Sequence, residues 1–165
     1  MKFTEKDLQK ANEIIARYPA DRSKSALLPI LHIAQDANGG WLTVEAMDAV
    51  AELLKITKIE VYEVASFYSM YNLKPVGKYV FEFCQTGPCN IQGVKDVIKY
   101  TEKKLGVKEG EITADGLFSW KRVECLGACG YAPMMQLGEH FKEHLTAEKI
   151  DAIIDEYRKK AVALN

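Results

Sequence analysis

Up to Tyr71 the apolar positions recur at helical spacing, and from Tyr79 onward the period changes to two. Leu8, Ala11, Ile15 and Tyr18 lie on one helix face. Thr4 and Asp7 give that helix a capping arrangement, and Tyr18-Pro19 ends it, because the residue before proline is pushed out of the α region. A second helix is expected from near Asp21 or Ser23 to Asn38-Gly39-Gly40, with Pro29 kinking it or marking its real start. Thr43 caps a third, whose buried stripe is Val44, Met47, Val50, Ala51 and Leu54. Thr57 and Glu60 form the capping box of a fourth, running to about Tyr71. That fourth helix is apolar nearly all round, so it must be covered on more than one side. It is either a central core helix or one whose Phe67, Tyr68 and Tyr71 also meet a partner, aromatic residues being enriched at interfaces.

The stretch Asn72 to Gly77 has the composition of a linker. Beyond it Tyr79, Phe81 and Phe83 alternate with Val80 and Glu82, which predicts a strand running into Cys84. Ile91, Val94, Ile98, Thr101 and Leu105 mark a helix closed by Gly106. Asp115-Gly116 signals a turn before a strand over 117–124. Strands follow at 134–137 and around Phe141, separated by the Gly138 turn, and Thr146 caps a last helix burying Ile150, Ile153, Ile154 and Tyr157. The order β-α-β-β-β-α fits a thioredoxin-like sandwich. The reading is an α/β protein with an N-terminal helical bundle, residues 1–74, and a thioredoxin-like domain, residues 75–165.

A chain of 165 residues supports one or two compact domains. Its formal net charge of −1 comes from interspersed acidic and basic residues, with no basic stripe for nucleic acid and no polybasic run for a membrane surface. The N-terminus lacks the apolar stretch of a signal peptide, and its acidic residues argue against a transit peptide. No apolar run approaches bilayer length. A cytoplasmic protein is expected, with any membrane association made through partners.

Chemistry concentrates in four cysteines, the only ones in the chain: Cys84 and Cys89 as C-x4-C, Cys125 and Cys129 as C-x3-C, with 35 residues between the pairs. Neither 84–92 nor 125–138 carries a charged side chain. Glycines there allow positive φ and close backbone approach to a ligand. Four thiolates on two such turns point to a metal or iron–sulfur site. Structural zinc held by all four is chemically possible. Plant-type ferredoxin spacing would need a cysteine where Gln92 stands, and the bacterial C-x2-C-x2-C run is absent. A 2Fe–2S centre suits two separated pairs, one pair per iron. Disulfides or unligated thiols stay open but weaker, since nothing indicates an oxidising compartment. A dithiol oxidoreductase lacks its C-x-x-C.

Cys84-x4-Cys89, then Glu124-Cys125-Leu-Gly-Ala-Cys129 and Ala132-Pro133-Met134, resembles the small thioredoxin-like 2Fe–2S subunit of respiratory complex I, the NADH:quinone oxidoreductase. The likeness extends to Ala26-Leu-Leu-Pro-Ile-Leu-His32 and Ser66-Phe-Tyr-Ser-Met-Tyr71, so it spans nearly the whole chain. Gly138 stands where a polar turn residue would be expected. The resemblance implies one 2Fe–2S cluster held by Cys84, Cys89, Cys125 and Cys129, in a subunit of NADH dehydrogenase with no complete active site of its own. It implies a flavoprotein partner carrying FMN and NADH, within the larger complex I assembly. Related subunits of NAD-linked hydrogenases and formate dehydrogenases share these motifs. No G-x-G-x-x-G or P-loop is present for binding NADH or flavin on this chain. His32 reads as a core or interface residue, His140 and His144 as solvated. Glu82, two residues before Cys84, and Glu124, beside Cys125, predict a low reduction potential, because nearby carboxylates disfavour an added electron.

Overall fold

The computed structural model describes residues 3–163. They fall into two compact units, one ending at Pro75 and one starting at Val76.

The first unit is all helical: α1 (Glu5–Ile15), α2 (Leu27–Ala37), α3 (Val44–Leu54) and α4 (Lys58–Phe67). Local chemistry sets the boundaries. Thr4 and Asp7 exchange hydrogen bonds as a capping box on α1, and Thr57 and Glu60 do the same on α4. The Thr43 hydroxyl accepts from the Ala46 N–H at 3.0 Å and starts α3. Pro29 marks a start rather than a kink: a 3-10 turn over Ser23–Ala26 precedes α2, and Pro29 sits in its first turn, where a missing N–H costs nothing. The core is Leu27, Ile30, Leu31 and Ala34 of α2 against Ala46, Val50 and Leu54 of α3 and Val61 and Ala65 of α4.

Three expectations change here. α1 stops at Ile15, before Tyr18-Pro19 is reached. Val44 opens α3 and is exposed rather than part of its stripe. α4 stops at Phe67 and is not a central helix, burying only Val61 and Ala65. The chain then turns, so Tyr71 is buried, donates its hydroxyl to the Leu28 carbonyl at 2.9 Å and stacks on His32. Tyr71 is therefore a core residue, and His32, which it contacts, is exposed. Phe67, 79% exposed, and Tyr68 form an edge-to-face pair on the surface.

The second unit is a mixed four-stranded sheet with helices: β1 (Tyr79–Cys84), α5 (Gly87–Ile91), α6 (Val94–Leu105), β2 (Phe118–Val123), β3 (Met135–Leu137), β4 (His140–Lys142) and α7 (Ala147–Ala163). The strands lie in the order β2-β1-β3-β4, with β2 parallel to β1 and the other pairings antiparallel. The register sets Phe81 beside Trp120 and Leu137, and Phe83 beside Met135, on one face. That face forms one core with Val94 and Ile98 of α6 and Ile150 and Ile154 of α7. Phe81, Phe83 and Phe118 are fully buried, each worth roughly 1.5–3 kcal/mol of apolar burial. The Tyr100 hydroxyl and Lys104 both reach the Asp151 carboxylate and tie α6 to α7. The single helix expected after the first cysteine turn is two, because Gly93 takes a left-handed φ of +85° between α5 and α6. Ile91 consequently leaves the buried stripe and is 85% exposed.

Gly77 enters β1 against the backbone of β2. Its N–H donates to the Ser119 hydroxyl at 3.1 Å. A Cβ added there would lie 2.7 Å from the Ser119 nitrogen and closer still to the Phe118 carbonyl carbon, atoms that cannot move without shifting the strand. Gly77→Ala is therefore expected to destabilise the second unit by roughly 1–3 kcal/mol. Denaturant unfolding measures this, and an unchanged midpoint would contradict the packing described.

Candidate metal centre

β1 is a central strand, and its last residue is Cys84. β2 runs parallel beside it, so the chain leaving Val123 reaches Cys125 two residues later at the same end of the sheet. β3 runs antiparallel, so the segment entering it also arrives at that end, bringing Cys129 and Met134. The Cys84 N–H donates to the Met134 carbonyl at 3.2 Å and the Gln85 N–H to the Val123 carbonyl at 3.1 Å, fastening the three segments together. Cys89 returns on α5, a five-residue helix with Pro88 in its first turn, where proline is tolerated. Cys129 opens a 3-10 turn ending at Tyr131, and the following Ala132-Pro133 peptide is cis.

All four cysteines are free thiols; Cys84 and Cys89 are buried, at 3% and 2% exposure, whereas Cys125 and Cys129 are exposed. Electrostatically they act as one set: Cys89 feels both Cys84 and Cys129, and Cys129 feels both Cys125 and Cys84. Among the described residues no group of three or more His, Cys, Asp or Glu side chains is gathered to hold a single metal ion.

Several donors are aimed at these sulfurs. The Thr86 hydroxyl lies 3.4 Å from Cys84 Sγ, and the backbone N–H groups of Thr86 and of Leu126 in the second cysteine loop favour its ionised form. The Gly127 N–H reaches Cys125 Sγ at 3.4 Å, with Gly127 at a φ of +75°, a conformation suited to glycine. The backbone N–H of Met134 favours the ionised form of Cys89. Burial opposes ionisation of Cys84, but the Thr86 and Leu126 donors outweigh it and hold that thiol below its ordinary pKa. Burial first, then the neighbouring Cys84, pushes Cys89 up to about 11. Desolvation of its sulfur and the adjacent Cys125 raise Cys129.

The sequence anticipated donors from the glycine turns, and Gly127 is one. It missed Thr86, Leu126 and Met134. Thr86 ahead of Gly87-Pro88 reads as an ordinary helix N-cap, which conceals its direction, and nothing in a leucine or methionine announces its backbone N–H. The two glutamates need revision. Glu82 faces Lys121 directly across β1 and β2 and pairs with it at 2.9 Å, both side chains about four-fifths buried, so its charge is compensated. Glu124 is exposed and accepts from Gln85 at 3.3 Å. His140 and His144 are exposed, His144 stacking edge-on against Tyr131.

Four free thiols at one end of the sheet, with N–H donors beside them, form a candidate thiolate-ligating centre. A sequence model of the thioredoxin-like [2Fe-2S] ferredoxin family matches residues 11–158, and the chain belongs to that family. Among curated proteins it is similar to the component of Rickettsia bellii NADH-quinone oxidoreductase that carries the letter E, 47% identical over 156 residues, covering 94% of this chain and 93% of that one. The same component in Rickettsia conorii is 49% identical over 153 residues, covering 93% and 92%. Among solved structures, the NAD+-reducing [NiFe]-hydrogenase in its air-oxidised state superposes with a TM-score of 0.68 at 22% identity, over 81% of this chain. The H2-reduced state gives 0.69 at 23% identity. The chain spans about a quarter of the hydrogenase chain, 23% and 22% respectively, and that likeness concerns the fold alone.

In metal-free, reduced protein at neutral pH, exposure orders the thiols. Timed alkylation read by peptide mass spectrometry is expected to label Cys125 ahead of Cys84 and Cys89, with Cys89 last. Equal rates at all four would mean that the sheltered pair is not sheltered in solution.

Proposed function

We propose that this chain is the 2Fe–2S electron-transfer subunit of an NADH-oxidising module in an NADH-quinone oxidoreductase. Cys84 and Cys89 hold one iron, and Cys125 and Cys129 hold the other. The observation that carries the reading is the arrival of four free thiols at one end of the sheet, in a chain of the thioredoxin-like [2Fe-2S] ferredoxin family. A lone zinc ion draws four ligands to a common point at about 2.3 Å, whereas a two-iron centre asks each iron for two thiolates. The near-full-length likeness to the rickettsial oxidoreductase components supports the same assignment.

The cluster, when bound, supplies one-electron chemistry. The residues of this chain hold it, shape its surroundings and set its potential. Leu126, Gly127, Met134 and Thr86 direct donors at ligand sulfurs, and such hydrogen bonds favour the more negative, reduced state. The Glu82–Lys121 pair adds no net charge on the Cys84 side. Hydride oxidation requires a two-electron cofactor, so the electron is exchanged with a flavoprotein subunit carrying FMN and NADH. The charge-free cysteine loops pack against that partner. Among the described residues no helix is long and apolar enough to cross a membrane; attachment to the membrane arm is made through other subunits.

Anaerobically purified protein is expected to be red-brown, with two irons and two acid-labile sulfides per chain. It should be silent by electron paramagnetic resonance when oxidised and give a rhombic signal after one-electron reduction. Colourless protein with one zinc, or with neither iron nor sulfide after reconstitution, would overturn the assignment. The ion pair has its own test in redox titration. Glu82→Gln removes the carboxylate that faces the Lys121 cation on the Cys84 side and is expected to raise the midpoint potential, while Glu82→Gln with Lys121→Met is expected to return it toward the starting value. A double variant displaced as far as the single one would show that the two charges do not cancel.

A further inference from the structure

Thr86 occupies the N-cap position of α5, between the strand that ends in Cys84 and the helix that carries Cys89. A threonine there ordinarily turns its hydroxyl toward the N–H of the second or third helical residue. Here the Thr86 side chain makes no capping bond, although its backbone has the extended conformation of an N-cap, with φ −88° and ψ 170°. The hydroxyl lies instead 3.4 Å from Cys84 Sγ, within reach of a sulfur acceptor, the pair partly shielded from solvent. Three other threonines in comparable positions, Thr4, Thr43 and Thr146, do cap: each hydroxyl accepts an N–H of its own helix. Thr86 gives up that bond in favour of the sulfur.

The direction of the bond follows from chemistry. A cysteine bound to metal is a thiolate and has no S–H to give. Only the Thr86 O–H can then be the donor, and it is one that a change of residue can remove without touching the backbone. Hydrogen bonds to an ionised acceptor are stronger than neutral ones, and this bond strengthens as charge on the sulfur grows with reduction. Resting on the electron-carrier reading above, we propose that Thr86 is a potential-setting residue, whose hydroxyl donates to Cys84 Sγ and holds the reduction potential above the value the same loop would give without it. Thr86 ligates nothing and acts through Cys84.

The test is a potentiometric titration of the full-length, cluster-loaded chain, followed by electron paramagnetic resonance, with iron and sulfide measured on each sample. Thr86→Val keeps the shape and removes the O–H; its midpoint potential is expected to fall. Thr86→Ser restores the donor and is expected to return the potential to the wild-type value. Thr86→Ala separates loss of the hydroxyl from any effect of the extra methyl, and is expected to fall in the same direction as valine. A Thr86→Val protein with full iron and sulfide and an unshifted potential would overturn the proposal while leaving the cluster assignment intact. A wild-type chain that binds no cluster would instead defeat the assignment. Failure of valine and alanine to hold the cluster, with serine loading normally, would overturn the potential-setting role and make the hydroxyl a cluster-retaining group; failure of all three would make Thr86 merely structural.

Discussion

The second unit depends on the pairing of β1 with a parallel neighbour on one side and an antiparallel neighbour on the other. A parallel strand leaves the sheet at the end where β1 leaves it, and an antiparallel one enters there. Three chain segments distant in sequence therefore meet at the exit of one strand, and each carries a cysteine or a donor to one. Had β2 been antiparallel, Cys125 would have been carried to the opposite end of the sheet. The apolar face of Phe81, Phe83, Phe118 and Trp120 fixes this register, because a slip of one residue would turn those rings toward the wrong side. Packing in the core and placement of the thiols are thus one constraint.

Electrostatics around the thiols follow the same economy. The loops bring no charged side chain of their own, and the closest carboxylate on the strand, Glu82, is matched by Lys121 at the facing register position. Apart from the exposed Glu124 beside Cys125, what acts on the sulfurs is short-range: N–H groups and one hydroxyl at fixed positions. Fixed dipoles need little reorganisation when an electron arrives, and a rigid sheet end is suited to holding them.

Much of this was legible in the residues. The helix starts are encoded by local side-chain bonds, so Thr4, Thr43 and Thr57 marked them correctly, and the alternation from Tyr79 to Phe83 gave a strand because its two faces differ in burial. Ends and faces were harder. Gly93 breaks a helix that apolar spacing alone joins, and Ile91 lies at the right spacing yet is cut off from the core by that break. The aromatic run ending at Tyr71 looked uniform, but the chain turns after Phe67 and sends Tyr71 inward while Phe67 stays out. At the site, the cysteines announced themselves by type and spacing. The pairing of Glu82 with Lys121 did not, because it depends on a strand register linking residues 39 positions apart. The donors Leu126 and Met134 were hidden for a simpler reason: they act through the backbone, which every residue possesses.

The unequal shelter of the two cysteine pairs gives the centre a front and a back. In the chain taken alone, a thiol reagent meets Cys125 and Cys129 first, while Cys84 and Cys89 stand behind them, rooted in the strand and the short helix. Modification that begins there begins on a loop, whereas the other two thiols belong to the hydrophobic core and are reached only by opening it.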